Sequence, residues 1–115
     1  MLQITLVTHS TTYTEATALA NTLQSILGPS TNIVSINPYP KFTDSFRVDL
    51  ETIVPLDNPS AIIHQAIDIA DQIVSPWLTY YDNDLEKIEL IYNETENTQK
   101  RHPAFKAIKW AQITY

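Results

Sequence analysis

A single glycine, Gly28, stands in 115 residues, where ordinary usage of about 7% would place roughly eight. A chain with so little glycine has no phosphate-cradling loop of the Walker or dinucleotide type, because those loops need glycine where the backbone meets the phosphate. Its turns must come from Pro, Asn and Asp instead. Asn37-Pro38, Asp57-Asn58-Pro59 and Asp82-Asn83-Asp84 are the segments that fit. Cysteine is absent altogether, which removes disulfides, thiolate metal sites and a cysteine nucleophile. The fold must therefore rest on a buried core, and the length suits one domain spanning 1–115.

The apolar pattern supplies that core. Leu2, Ile4 and Leu6 alternate as in a strand. Thr12 with Glu15 three positions on reads as a capping box, and Ala16, Leu19, Ala20, Leu23, Ile26 and Leu27 follow at helical spacing. The spacing predicts a helix over 13–27 stopped by Gly28-Pro29. Asn32 to Asn37 is a short strand, and Phe46, Val48 and Leu50 alternate with Arg47, Asp49 and Glu51 as a half-wet one. Asn58 before Pro59 caps a second helix, with Ile62, Ile63, Ala66, Ile67, Ala70, Ile73 and Val74 as its stripe, ending before Pro76. Trp77 to Tyr81 and Lys87 to Tyr92 are predicted to pair as strands. Residues 93–103 are predicted to be a mobile polar loop, and 105–115 a strand in preference to a short helix. Strand-helix-strand-strand-helix-strand is the order of a ferredoxin-like α+β sandwich. The expectation is a mainly antiparallel sheet of four to six strands with two helices on one face, against which Leu23 and Ile67 pack. Asp49, Glu51 and Glu89 would lie on the other face.

Charge is distributed unevenly. Residues 1–99 contain all 13 acids and three bases, whereas Lys100, Arg101, Lys106 and Lys109 stand in an acid-free C-terminal stretch. Six of the acids, Asp82, Asp84, Glu86, Glu89, Glu94 and Glu96, fall in one short run flanked by Trp77, Tyr80, Tyr81 and Tyr92. A net charge of −6 disfavours direct nucleic-acid binding, which needs clustered Lys and Arg. An acidic surface edged with aromatics suits a basic protein partner, with the rings as anchors and the charges aiding encounter. The four C-terminal bases read as a solvated face.

No catalytic set competes. His9, His64 and His102 are scattered without the i, i+4 pairing of a metal site. His9 lies between Thr8 and Ser10, without the arginine and glycine of a histidine-phosphatase core. No nucleophile elbow is present. The expectation is a protein that is not an enzyme and uses no cofactor or metal. No stretch reaches the roughly 20 apolar residues of a membrane span, and Met1 to Val7 lacks a basic leader, so a cytoplasmic location without membrane association is expected.

These traits, with the segments Trp77-Leu-Thr-Tyr-Tyr-Asp82, Lys87-Ile-Glu-Leu-Ile-Tyr-Asn93 and Ile108-Lys-Trp-Ala-Gln-Ile113, resemble the small immunity proteins of bacterial polymorphic toxin systems, including contact-dependent growth inhibition. The resemblance implies a cytoplasmic inhibitor that binds one cognate toxin, often a nuclease, and blocks its active site. The partner-binding residues expected from the residue pattern are Asp82, Asp84, Glu86, Glu89, Glu94, Glu96, Tyr80, Tyr81 and Trp77, with Asp49 and Glu51 adjoining. The alternatives are a structural or regulatory subunit that pairs with itself through an open sheet edge, and a small ligand-binding protein or enzyme.

Overall fold

The computed structural model describes residues 1–54, 58–81, 87–95 and 98–115, with Pro59 and Tyr81 described in backbone only. The elements run β1 (Leu2–His9), α1 (Tyr13–Leu27), β2 (Thr31–Pro38), β3 (Ser45–Thr52), α2 (Pro59–Asp71), β4 (Val74–Ser75), β5 (Leu78–Tyr81), β6 (Ile88–Asn93), β7 (Gln99–Lys100), a 3₁₀ turn (Pro103–Ala107) and β8 (Ile108–Thr114). Six strands form one sheet in the order β2-β3-β1-β8-β6-β5, every neighbour antiparallel. With both helices packed on one face, this is an α+β two-layer sandwich.

The first half has the split arrangement: β1, α1 and β2 form a crossover unit and β3 is inserted between its two strands. The second half completes that pattern and extends it: β8 lies beside β1, the place of the last strand of the split arrangement, and β5 and β6 add two strands beyond it. From α2 the chain passes to the far edge as β5 and returns as β6, and β8 then enters between β6 and β1. The last strand to be made thus joins the two halves near the centre of the sheet.

Both helices start where the sequence places a cap. Thr12 Oγ1 accepts from Glu15 N at 3.2 Å, and Asn58 Oδ1 accepts from Ser60 N at 2.9 Å. The Glu15 carboxylate does not complete the capping box on Thr12. It reaches one residue further back, accepting from Thr11 N and Thr11 Oγ1 at 3.2 and 2.9 Å. At the other end of α1, Gly28 adopts φ 95° and its N–H donates to Gln24 O at 2.9 Å; that positive φ is the conformation glycine supplies cheaply. Asp44 in the β2–β3 loop also has a positive φ, 54°, a position taken by an aspartate in this glycine-poor chain.

The core is continuous. Leu2, Ile4, Leu6, Val48 and Leu50 of the central strands meet Ala16, Leu19, Ala20 and Leu23 of α1, and Ile88, Leu90 and Tyr92 of β6 join the same cluster as Ile62, Ala66, Ile69 and Ala70 of α2. Full burial of a leucine such as Leu23 contributes about 2 kcal/mol. The α2 stripe is rotated from the predicted one: Ile69 is buried, while Ile67, expected to face the sheet, is 42% exposed. The helix also ends at Asp71, short of Pro76, because Val74 and Ser75 leave it to pair with Lys100 and Gln99. Among the described residues of 93–103, the chain is accordingly anchored: Arg101 N donates to Ile73 O at 3.1 Å, and its guanidinium to Asp71 Oδ1 at 3.1 Å.

The segment 105–115 is a 3₁₀ turn followed by a strand, so both readings of it hold in part. The register between β1 and β8 shifts between Val7 and Thr8: Val7 opposes Trp110, yet Thr8 opposes Ile108. Lys109 is the extra residue of a bulge. Because of it Ile108 turns inward to join Ala111 and Ile113 in the core, although simple alternation would put it on the Trp110 side.

Candidate functional site

The face of the sheet away from the helices is built from the alternate residues that the core does not use. Antiparallel register arranges them in cross-strand rows. The first row is Asn32, Glu51, Gln3, Thr114, Glu89 and Tyr80; the second is Ser35, Asp49, Thr5, Gln112, Ile91 and Leu78. A third row carries Asn37, Arg47, Val7, Trp110 and Asn93. Six strands make each full row about 24 Å wide. The face consists mainly of neutral hydrogen-bonding side chains, with acids at defined points and apolar groups toward the β5 edge.

The acids on this face are in different electrostatic states. Asp49 is gripped from three strands: Thr5 Oγ1 donates to it at 2.8 Å, Ser35 Oγ at 3.2 Å and Arg47 Nε at 3.0 Å. Its charge is matched by the guanidinium beside it, so it orders the face more than it charges it. Glu89 accepts from Gln112 Nε2 across the β6–β8 pair; an amide is neutral and leaves the carboxylate charge in place. The Glu51 side chain makes no hydrogen bond or ion pair among the described residues, and the residue is half-exposed. Glu51 and Glu89 are therefore the uncompensated negative points, with Tyr80, 52% exposed, beside Glu89 in the same row.

Of the residues expected to bind a partner, Glu51, Asp49, Glu89 and Tyr80 thus share one face. Trp77 does not join them. It packs against the core, its ring 5.8 Å from that of Tyr92, and its Nε1–H donates to Val74 O at 2.8 Å and Ala70 O at 3.1 Å. The indole closes the end of α2, whose last carbonyls need donors. Glu94 lies just past β6, paired with Lys100 Nζ at 2.6 Å. Tyr81 is placed by its backbone on β5, opposite Ile88. Asp82, Asp84, Glu86 and Glu96 lie outside the described residues.

Of the four C-terminal bases, Lys106 is exposed as a solvated base would be, while the other three are engaged. Lys100 bonds Glu94 and the Lys106 carbonyl, Arg101 bonds Asp71, and Lys109 bonds Ser45 Oγ at 3.0 Å. The Lys100 partners are six residues away, whereas those of Arg101 and Lys109 lie 30 and 64 residues away, on α2 and β3, and no local pattern signals those two pairings. Lys109 and Trp110 border a recess with Tyr39, Phe42 and Asn93, a group the sequence reading missed because its members come from three separate segments.

Several catalytic readings meet chemical obstacles. The Ser45–Lys109 contact is not an activated serine, since the ammonium donates to Ser45 Oγ and that hydroxyl donates to Thr43 O at 3.3 Å. A general base would have to accept the serine proton. His102 uses Nδ1 to accept from Ala104 N at 3.0 Å and so caps the 3₁₀ turn, while His9 and His64 are exposed on separate elements. Among the described residues no group of three or more His, Asp or Glu side chains is arranged to hold a metal, and no helix is long and apolar enough to cross a membrane. Comparison of the chain with protein-family models, curated proteins and solved structures finds no match in any of the three.

Proposed function

We propose that this chain is an inhibitor of the immunity type, which takes a basic protein partner, such as a toxin nuclease domain, on the open face of its sheet. The observation that carries this reading is the first cross-strand row: Glu51 and Glu89 stand on rigid strands with Tyr80 at the end and neutral donors and acceptors between them. The sheet fixes the backbone positions of these carboxylates before binding, so only their side-chain rotamers remain to be ordered, and an exposed tyrosine is a favoured interface anchor. Negative potential on such a face speeds encounter with a positively charged cleft. A self-pairing subunit has less support. One sheet edge, β5, is four residues long, and the other, β2, is interrupted between Ile33 and Ser35 and ends at Pro38; short length, a bulge and proline all discourage edge-to-edge pairing.

The test is calorimetry against the domain encoded beside this gene. The expected outcome is a complex with a Kd on the order of nanomolar, an association rate that falls with added salt, and loss of about 100-fold in affinity in the double variant Glu51→Lys, Glu89→Lys. A neighbouring product that does not bind, or a double reversal that leaves Kd unchanged, would overturn the reading.

A further inference from the structure

We infer that the recess beneath the β2–β3 loop binds a small aromatic carboxylate. It is lined by Tyr39, Phe42, Asn93, Lys109 and Trp110 and has a volume of about 330 Å³, within the range of small-molecule sites. Two features of the fold create it. The bulge in β8 turns Lys109 and Trp110 to the same side of the sheet, where strict alternation would separate them. The loop then carries Tyr39 and Phe42 over them, their rings 5.8 Å apart. This loop is held by Tyr39 N donating to Ser45 O at 2.8 Å and Ser10 N donating to Asp44 O at 3.0 Å, so the aromatic wall is pre-formed.

The chemistry of the lining selects the ligand. Lys109 Nζ sits 5.1 Å from the centre of the Phe42 ring and donates to Ser45 Oγ. An ammonium has three donors, and the others have no acceptor among the described residues. Trp110 Nε1–H and the Asn93 amide likewise have no partner among the described residues. No carboxylate lines the recess, in contrast to the recess between Arg47, Asp49 and Glu51 on the same face. An ammonium with unused donors, in a recess whose lining also supplies an indole and an amide without partners, calls for an anion. Three rings on the walls call for a planar body. A cationic guest is disfavoured because Lys109 already occupies the position against Phe42. The inference does not rest on the partner reading, and it is tested on the chain alone.

The experiment is titration of ¹⁵N-labelled protein with phenylacetate, the neutral phenylacetamide and inorganic phosphate, followed at the Trp110 indole N–H. The Trp77 indole, committed to Val74 O and Ala70 O, serves as the internal control. Phenylacetate is expected to saturate the Trp110 signal at sub-millimolar Kd, with phenylacetamide and phosphate each weaker by about tenfold or more. Lys109→Met is expected to weaken phenylacetate by about tenfold. Phe42→Ala, which removes a ring that is 55% exposed and outside the core, should weaken it without disturbing the fold. An acid bound no better than its amide, phosphate bound as well as phenylacetate, a Trp110 signal that does not move, or full affinity in both variants would overturn the inference.

Discussion

Arg47 lies two residues before Asp49 on β3 and closes on its carboxylate, with Nε 3.0 Å from one oxygen and Nη2 3.3 Å from the other. The arginine is about half exposed, so the ion pair is worth at most about 1 kcal/mol. Asp49 itself receives hydroxyl bonds from Thr5 and Ser35 as well. Asp49→Ala should therefore cost about 1–2 kcal/mol and Arg47→Ala less, read as shifts in the urea midpoint. Arg47→Ala should also make the open face more acidic and raise the association rate of a basic partner.

Trp77 and Tyr80 lie close in sequence but serve different ends. Trp77→Phe leaves the Ala70 and Val74 carbonyls without their indole donor, and should cost about 1–2 kcal/mol in chemical denaturation. It should leave partner affinity unchanged. Tyr80→Ala should alter stability by no more than about 0.5 kcal/mol, yet weaken the proposed complex by about tenfold or more. Calorimetry on the two variants separates a packing role from an anchoring one.

Asp44 holds a left-handed backbone, φ 54°, which costs a residue with a Cβ about 1 kcal/mol. Asp44→Gly relieves that cost and should leave the thermal midpoint equal or higher. Asp44→Val, with a branched Cβ, should lower stability by about 1–2 kcal/mol. It should also weaken phenylacetate binding, because the same loop carries Tyr39 and Phe42.

The start of α1 offers a graded test. Thr12→Ala removes the acceptor for Glu15 N and should cost about 1 kcal/mol. Glu15→Gln keeps an acceptor for Thr11 but loses the charge at the helix N-terminus, and should cost about 0.3–1 kcal/mol. Thermal denaturation of the two variants should rank Thr12→Ala as at least as destabilising.

Helix α1 was legible from end to end, Tyr13–Leu27, because its cap, its stripe and its stop are all local signals. Strands β3 and β6 were placed to within two residues at each end by alternation alone. The inward turn of Ile108 was not legible. The bulge that causes it arises from how β8 meets β1, a contact about 100 residues apart in sequence. Ile67 was misplaced for a related reason: with isoleucines at 62, 63, 67, 69 and 73, two stripes compete, and packing against β6 selects the one through Ile69. Of the candidate site, the assignment of Asp49, Glu51 and Glu89 to one face followed from period two, which obliges alternate residues to share a side.

The amino-acid order sufficed to set both helix starts, all of α1, and the alternation of strands such as β3 and β6, because these depend on caps, periodicity and turn residues within a few positions. Strand neighbours were settled only by folding. The entry of β8 between β1 and β6 puts Glu51 and Glu89 in one row, and its bulge brings Lys109 and Trp110 under the loop of Tyr39 and Phe42. Whether a charge is free or matched was decided there too, since the partners of Asp49, Arg101 and Lys109 include residues on other strands or helices. Local chemistry acts through bonds and near neighbours, whereas burial and long-range pairing act through space.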